Sequence, residues 1–295
     1  MAKKLALVVC IQVLILAAAD RVSAGEERGD GALVGKVDAE LAGERVVVPD
    51  EPAGFHLGLD LGYGMALFSH QITGEDDDIL VEKWGMLYGP KATLTCLTSN
   101  LMIKPEVQYL QGGSSYRGPG YDGDPIDTDA DNRLIEGRAL IGIAIEDGIF
   151  CFTGLGYRDW NTEIQGIGGY NSNIRQYYLP LGIEAPEGSY LGRWGAAAEL
   201  DVLLVGLSMF HVSDDGFTDD ARYWQGPVDA LALRFSGTYR PLVSRTISLT
   251  IEPFLLFWLN SPFLVVEKGE EGEEEWRIDS HDKLFMIGLT ASLCW

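Results

Sequence analysis

The sequence predicts an all-β fold: a single-chain transmembrane antiparallel β-barrel of about ten strands, with short periplasmic turns and long acidic extracellular loops. Three observations predict it. First, residues 55–68 alternate without a break, placing Phe55, Leu57, Leu59, Leu61, Tyr63, Met65 and Leu67 on one face and small or polar residues on the other, the period-two pattern of a strand with one apolar face. Second, similar segments recur along the chain, and the connections between them take turns between long and short, as expected of an outer-membrane barrel. Third, no run of about 18 apolar residues follows residue 24, so no helix offers itself as a membrane span and entry into a bilayer requires a closed barrel.

Residues 1–24 read as a secretory signal peptide. Lys3 and Lys4 start it, Leu5 to Ala19 form the apolar run, and Val22-Ser23-Ala24 is a small-residue cleavage site. Residues 25–54 are polar, acidic and aperiodic, a flexible periplasmic leader ahead of a barrel domain at 55–295. The formal charge is −22, and the leader peptide is itself basic, so the exported chain is strongly acidic and nucleic acid is excluded as a partner. Cys96, Cys151 and Cys294 lie beyond the cleavage site; an odd count argues against a disulfide framework and for small apolar side chains.

Ten strands are predicted, at 55–68, 84–97, 101–111, 133–145, 149–160, 176–185, 190–206, 227–239, 246–259 and 283–295. The links at 98–100, 146–148, 186–189 and 240–245 are short. Those at 69–83, 112–132, 161–175, 207–226 and 260–282 are long, and four of these five carry an excess of acids. Pairing the short hairpins so that apolar residues share a face sets Lys91 opposite Glu106, Glu136 opposite Arg158, Glu184 opposite Arg193 and Arg234 opposite Glu252, with Ile143 beside Cys151 and Leu179 beside Ala198. Adding Asp60, Lys104, Arg138, Glu199 and Asp201 gives an interior network of both signs that fills a narrow ten-strand lumen. Pro90, Pro105, Pro180 and Pro253 fall inside these strands, and each predicts a bulge or register slip.

The last strand puts Phe285, Ile287, Leu289, Ala291, Leu293 and Trp295 on one face. Ending on an aromatic residue, it resembles the closing strand of bacterial outer-membrane β-barrels. That resemblance implies that Trp295 belongs to an assembly signal read by the barrel-assembly machinery, and that the chain lies in the cell outer membrane among lipid and lipopolysaccharide.

Three motifs are candidates for chemistry. Asp122, Asp124, Asp127, Asp129 and Asp131 form a carboxylate cluster for which Ca²⁺ or Mg²⁺ is the fitting metal; as an EF-hand it fails, because Asn132 replaces the required glycine and Arg138 the bidentate glutamate. No other cofactor is expected. His211-Val212-Ser213 resembles the His-x-Ser pair of the outer-membrane lipid A deacylases, which implies a histidine-activated serine. The strand leading to it puts Leu200, Val202 and Leu204 outward, so continuous alternation turns His211 and Ser213 into the lumen. The strand count resembles that of the omptin proteases, whose rim Asp–Asp and Asp–His pairs would map to Asp76, Asp77, His211, Asp214, His281 and Asp282, although His211 has no Asp two residues before it. The role expected from these readings is non-enzymatic, an envelope or surface protein or a narrow porin-like channel with a charge-filled lumen. An outer-leaflet hydrolase using His211 and Ser213 is the alternative.

Overall fold

A strand that alternates in face can bury only one side, and in this chain the buried side is the polar one. The computed structural model describes residues 56–74, 79–120, 124–146, 148–166, 168–186, 193–211, 220–241, 247–268 and 274–295, with backbone alone at Glu146, at 220–221 and at the outer hairpin 261–280. The signal-peptide and leader readings at 1–54, and the candidates Asp76, Asp77, Asp122, Ser213 and Asp214, lie outside these residues.

Among the described residues eleven strands are present: β1 (His56–Thr73), β2 (Ile79–Leu97), β3 (Leu101–Pro119), β4 (Pro125–Glu146), β5 (Ile149–Ile164), β6 (Asn171–Ala185), β7 (Trp194–His211), β8 (Asp220–Gln225), β9 (Ala230–Tyr239), β10 (Ser248–Lys268) and β11 (Glu274–Cys294). Ten of them close an antiparallel barrel: neighbours in sequence pair, β6 pairs with β7, β7 with β9, and β11 with β1. The eleventh, β8, pairs with the outer part of β7, from Gly206–Gln225 to His211–Asp220. Between β8 and β9 the chain turns at Gly226–Asp229, where the Asp229 carboxylate accepts from the Gly226 N–H at 2.7 Å and Val228 takes a positive φ of 69°.

The outward face is apolar. Leu67 is 58% exposed while its neighbour Phe68 is 3% exposed, and the same contrast runs along β1 and β11. Eleven residues of outward alternation on β1, Leu57 to Leu67, at ~3.3 Å per residue and a tilt near ~40° make a band roughly 25 Å tall, the height of an outer-membrane barrel's lipid face. Trp295 lies at the short-turn rim, where it exchanges both backbone hydrogen bonds with Leu59, at 3.1 and 3.3 Å. Beside the same rim Trp194 and Tyr239 pack with ring centres 4.4 Å apart.

The strands are longer than the apolar alternation indicates, and the extra length is at the outer end. β1 runs to Thr73 rather than 68, β2 begins at Ile79 rather than 84, and β4 begins at Pro125 rather than 133. Outside the bilayer the outward face of the sheet turns polar, as at Ser69, Gln71, Asp127 and Asp129, so the apolar signal fades before the strand does. Three of the four hairpin registers also differ from expectation. Glu136 pairs with Arg158 and Ile143 with Cys151. However, Lys91 stands opposite Gln108, Glu184 opposite Ala197 and Leu179 opposite Val202, and Arg234 opposite Leu256. Each slip is an even number of residues, which keeps every face correct and is therefore invisible to an alternation argument.

The prolines do not mark the slips. Pro105 pairs with Ala139 in an unbroken ladder, and so does Pro253 with Leu289. An antiparallel residue sends its N–H to one neighbour only, so a proline removes one bond and leaves the register intact. The irregularity that matters is elsewhere: Tyr177 pairs with Val205 and Tyr178 with Leu203, so Leu204 is an extra residue in β7 and both Leu204 and Val205 are exposed. Beyond this bulge the faces of β7 exchange. Phe210 packs inward and His211 is exposed on the outer face, the reverse of the inward orientation that alternation gives.

Gly156 sets the packing inside. A Cβ there would overlap the ring of Tyr178, which is fully buried and donates its hydroxyl to Glu136 at 2.8 Å. Gly156→Val therefore displaces that ring and should destabilise the barrel by about 1–3 kcal/mol. The check is the temperature at which the folded band converts to the unfolded one on semi-native gels, which the variant should lower.

Candidate functional site

The lumen is the chemical centre of the molecule, and its residues come from every wall. Odd-numbered positions of β2, even-numbered positions of β3 and β4 and odd-numbered positions of lower β7 face inward and bring charges of both signs together. Lys91 on β2 donates to Glu252 on β10 at 2.5 Å and lies 3.9 Å from Glu106. Lys104 reaches Glu184 at 2.9 Å and Glu106 at 4.0 Å. Arg138 bridges Glu106 and Glu199, the latter at 2.7 Å. Arg234 spans Glu199 at 3.7 Å and Glu136 at 2.7 Å, and Arg158 bonds the same Glu136 oxygen at 2.6 Å. The contacts form one continuous chain of five cations and five carboxylates from Glu252 to Arg158. Of the four hairpin pairs inferred from sequence, Lys91–Glu106 and Glu136–Arg158 are found, whereas Glu184 and Glu252 bond across the lumen, to Lys104 and Lys91.

Three further residues of the expected network sit differently. Asp60 stands near the short-turn mouth, 3.8 Å from Arg240. Arg193 is exposed at the turn before β7, and Arg240 takes the inward place at that rim, donating to Thr250 at 3.2 Å. Asp201 is fully buried beside Glu199, and neither of its carboxyl oxygens has a hydrogen-bond partner among the described residues.

Apolar clusters close what the ions leave open. Phe68, Leu87, Leu110, Leu134, Tyr178, Leu256 and Trp258 form the largest, in mid-lumen. Ile72, Val81, Tyr116 and Ile164 form a second toward the outer end, and Met102, Leu140, Phe150 and Phe152 a third toward the short turns. Inside lie a cavity of about 120 Å³ at the short-turn mouth, reached by Asp60, Lys104, Glu184 and Arg240, and one of about 30 Å³ toward the outer end.

That outer cavity holds residues the sequence reading assigned to loops. His70 Nε2 contacts Asp282 Oδ1 at 2.5 Å, and Asn260 donates to the other Asp282 oxygen at 2.9 Å. Asn260 in turn accepts from the Trp258 indole at 2.7 Å and from Gln176 at 3.3 Å. The signal that would have found them is the alternation itself, carried past the apolar band: His70 and Ile72 continue the inward face of β1 and Val81 and Lys83 that of β2. His281 points out and Asp282 in, so these adjacent candidates do not form a pair; Asp282 pairs with His70 across β1 and β11.

Of the acidic cluster, Asp127, Asp129 and Asp131 line the exposed outer face of β4. Arg117 pairs with Asp127 at 3.1 Å and Gln165 donates to Asp131 at 3.1 Å. Among the described residues no group of three or more His, Cys, Asp or Glu side chains is placed to hold a metal ion. Cys96 and Cys151 are half-buried and Cys294 is buried, all three as free thiols.

No protein-family model matches the chain, and no curated protein matches it. Solved structures do. The outer membrane protease OmpT from Escherichia coli aligns with a TM-score of 0.52 at 9% identity, covering 83% of this chain and 99% of that one. The translocator domain of autotransporter NalP from Neisseria meningitidis aligns with a TM-score of 0.40 at 9% identity, over 79% and 88% of the two chains. Ail of Yersinia pestis gives 0.29 at 10% identity, over 79% and 98%. The first of these likenesses shows the fold, that of a transmembrane outer-membrane β-barrel, and the fold alone.

Two ion pairs test how much the lumen matters. Glu136→Gln removes the carboxylate shared by Arg158 and Arg234 and leaves two buried guanidiniums undercompensated, a loss of about 3–5 kcal/mol. Arg117→Ala breaks a pair whose side chains are 72% and 68% exposed and should cost less than about 1 kcal/mol. Denaturant or thermal unfolding of the two variants in detergent measures the difference; equal losses would refute the ranking.

Proposed function

We propose that the chain is a closed outer-membrane barrel with a non-enzymatic surface role, presenting acidic loops to the exterior rather than conducting solute. One observation carries the reading: among the described residues the continuous chain of five cations and five carboxylates runs through the lumen between apolar clusters, beside cavities of about 30 and 120 Å³. A conducting pore needs a continuous water path, and a carboxylate already shared by two cations offers little to a passing ion. Export by the signal peptide, with maturation before Gly25, completes this reading, as does recognition of Trp295 by the assembly machinery. Lipid and lipopolysaccharide are the surroundings, and Ca²⁺ or Mg²⁺ would act as counterions to the acidic loops.

The hydrolase alternative gains one specific observation, the outward turn of His211 beyond the Leu204 bulge. His211 is six residues past Val205, roughly 20 Å along the strand at ~3.3 Å per residue, so it stands well above the row of Tyr177.

Reconstitution in planar bilayers separates the readings of the lumen. The expected result is no steady conductance, and a stable open channel would overturn the closed-barrel proposal. For the alternative, Ser213→Ala should leave lipid A acylation of expressing cells unchanged; loss of a deacylated species in the variant would install the hydrolase instead.

A further inference from the structure

The outer cavity holds a buried cation that shares its lining with the carboxylate of Asp282. Lys83 projects from β2 into this cavity and is 6% exposed. Its ammonium lies 5.8 Å from the centre of the Tyr116 ring and makes no ion pair or hydrogen bond among the described residues. The carboxylate that acts on it most directly, Asp282, is already engaged on both oxygens, by His70 at 2.5 Å and Asn260 at 2.9 Å. A second donor faces the same space. Arg158 spends one terminal nitrogen on Glu136, stacks at 4.2 Å on the Trp258 ring, and leaves its buried Nε without an acceptor. An unpaired ammonium out of water is strongly unfavourable, and an unmet guanidinium N–H adds to the deficit.

We infer that this cavity is a binding site for one small monovalent anion, a halide or a free short carboxylate, held between Lys83 and Arg158. Size and wall chemistry set the class. About 30 Å³ holds two or three water-sized centres, at ~10–15 Å³ each, which admits chloride, formate or acetate and excludes a sugar or nucleotide. The indole N–H groups of Trp160 and Trp258 are spent on Asn132 and Asn260, so both rings present apolar wall rather than donors. Such a lining suits a weakly hydrated monovalent ion better than sulfate or a divalent cation, and the two basic groups repel any metal. The site adjoins the central ion chain at Arg158, whose pairing with Glu136 is already made, and it does not depend on whether the barrel conducts.

The test uses the full chain, purified in detergent in a chloride-free gluconate buffer and titrated calorimetrically with sodium formate at constant ionic strength. One saturable site is expected, with sulfate giving none. Lys83→Met keeps the length of the side chain and removes its charge; it should weaken formate at least tenfold, while the exposed control Arg117→Ala leaves it unchanged. Formate should raise the melting temperature of the unmodified protein and not that of Lys83→Met. Absence of saturable binding by folded, heat-modifiable protein overturns the assignment, as does formate affinity that survives Lys83→Met. Should that variant fail to fold, crystals of the unmodified protein soaked in bromide decide: an anomalous peak between Lys83 and Arg158 supports the site, and none there refutes it.

Discussion

Everything in this molecule depends on backbone hydrogen bonds that have no water to turn to. In hydrocarbon each unsatisfied N–H or C=O is costly, so a sheet can enter a bilayer only when its first and last strands meet. Here they meet in an unbroken ladder from Asp60–Cys294 to Thr73–His281, finished by the reciprocal bonds between Leu59 and Trp295. Closure then dictates the rest. It tilts the strands, fixes which residues look at lipid, and turns the alternation of each strand into an apolar exterior and a polar interior.

The interior is therefore assembled under unusual terms. A soluble core is filled with apolar side chains and excludes charge, whereas this one draws on the face that lipid rejects. Lysines, arginines and glutamates there are desolvated and must be neutralised in place. The solution found is sharing, with Glu136 serving both Arg158 and Arg234 and Glu106 serving Arg138 and two lysines. Cross-lumen bonds also tie strands that are not neighbours in the sheet, such as Lys91 of β2 to Glu252 of β10 and Lys104 of β3 to Glu184 of β6. Small residues make room for this: Gly156 lets Tyr178 lie flat enough to reach Glu136.

Alternation made the fold legible because a membrane enforces it on every strand, and the face of Lys104, Glu106, Arg138 or Arg234 could be read from it. Partners could not. Register enters an alternation argument only modulo two, so the choice of Lys91 opposite Glu106 over Gln108 rested on charge complementarity between neighbours, while the actual bonds run across the lumen. Strand ends were lost for a different reason, because above the lipid the outer face of the sheet turns polar and the apolar contrast that marks a strand there vanishes; with it went the buried His70, Lys83, Asn260 and Asp282. Arg193 and Arg240 exchanged roles because four residues of register separate a rim position from a turn. The bulge at Leu204 leaves no compositional trace, since Val202, Leu203, Leu204 and Val205 are all apolar, and it alone reverses His211.

The distribution of charge along the lumen joins the two halves of the functional argument. An ion crossing a membrane protein needs sites that hold it weakly and in succession. From Glu252 to Arg158 the carboxylates are each held by one to three cations at short range, and the apolar cluster around Phe68, Leu256 and Trp258 lies against them. At the level of Lys83 a cation stands with its nearby carboxylate already engaged by His70 and Asn260. An anion arriving from the outer side would find one favourable place and no second one beyond it. A single site backed by a neutralised, close-packed segment is the electrostatic form of a dead end, so the anion site proposed at Lys83 and the closed lumen proposed for the barrel rest on one arrangement rather than on rival readings of it.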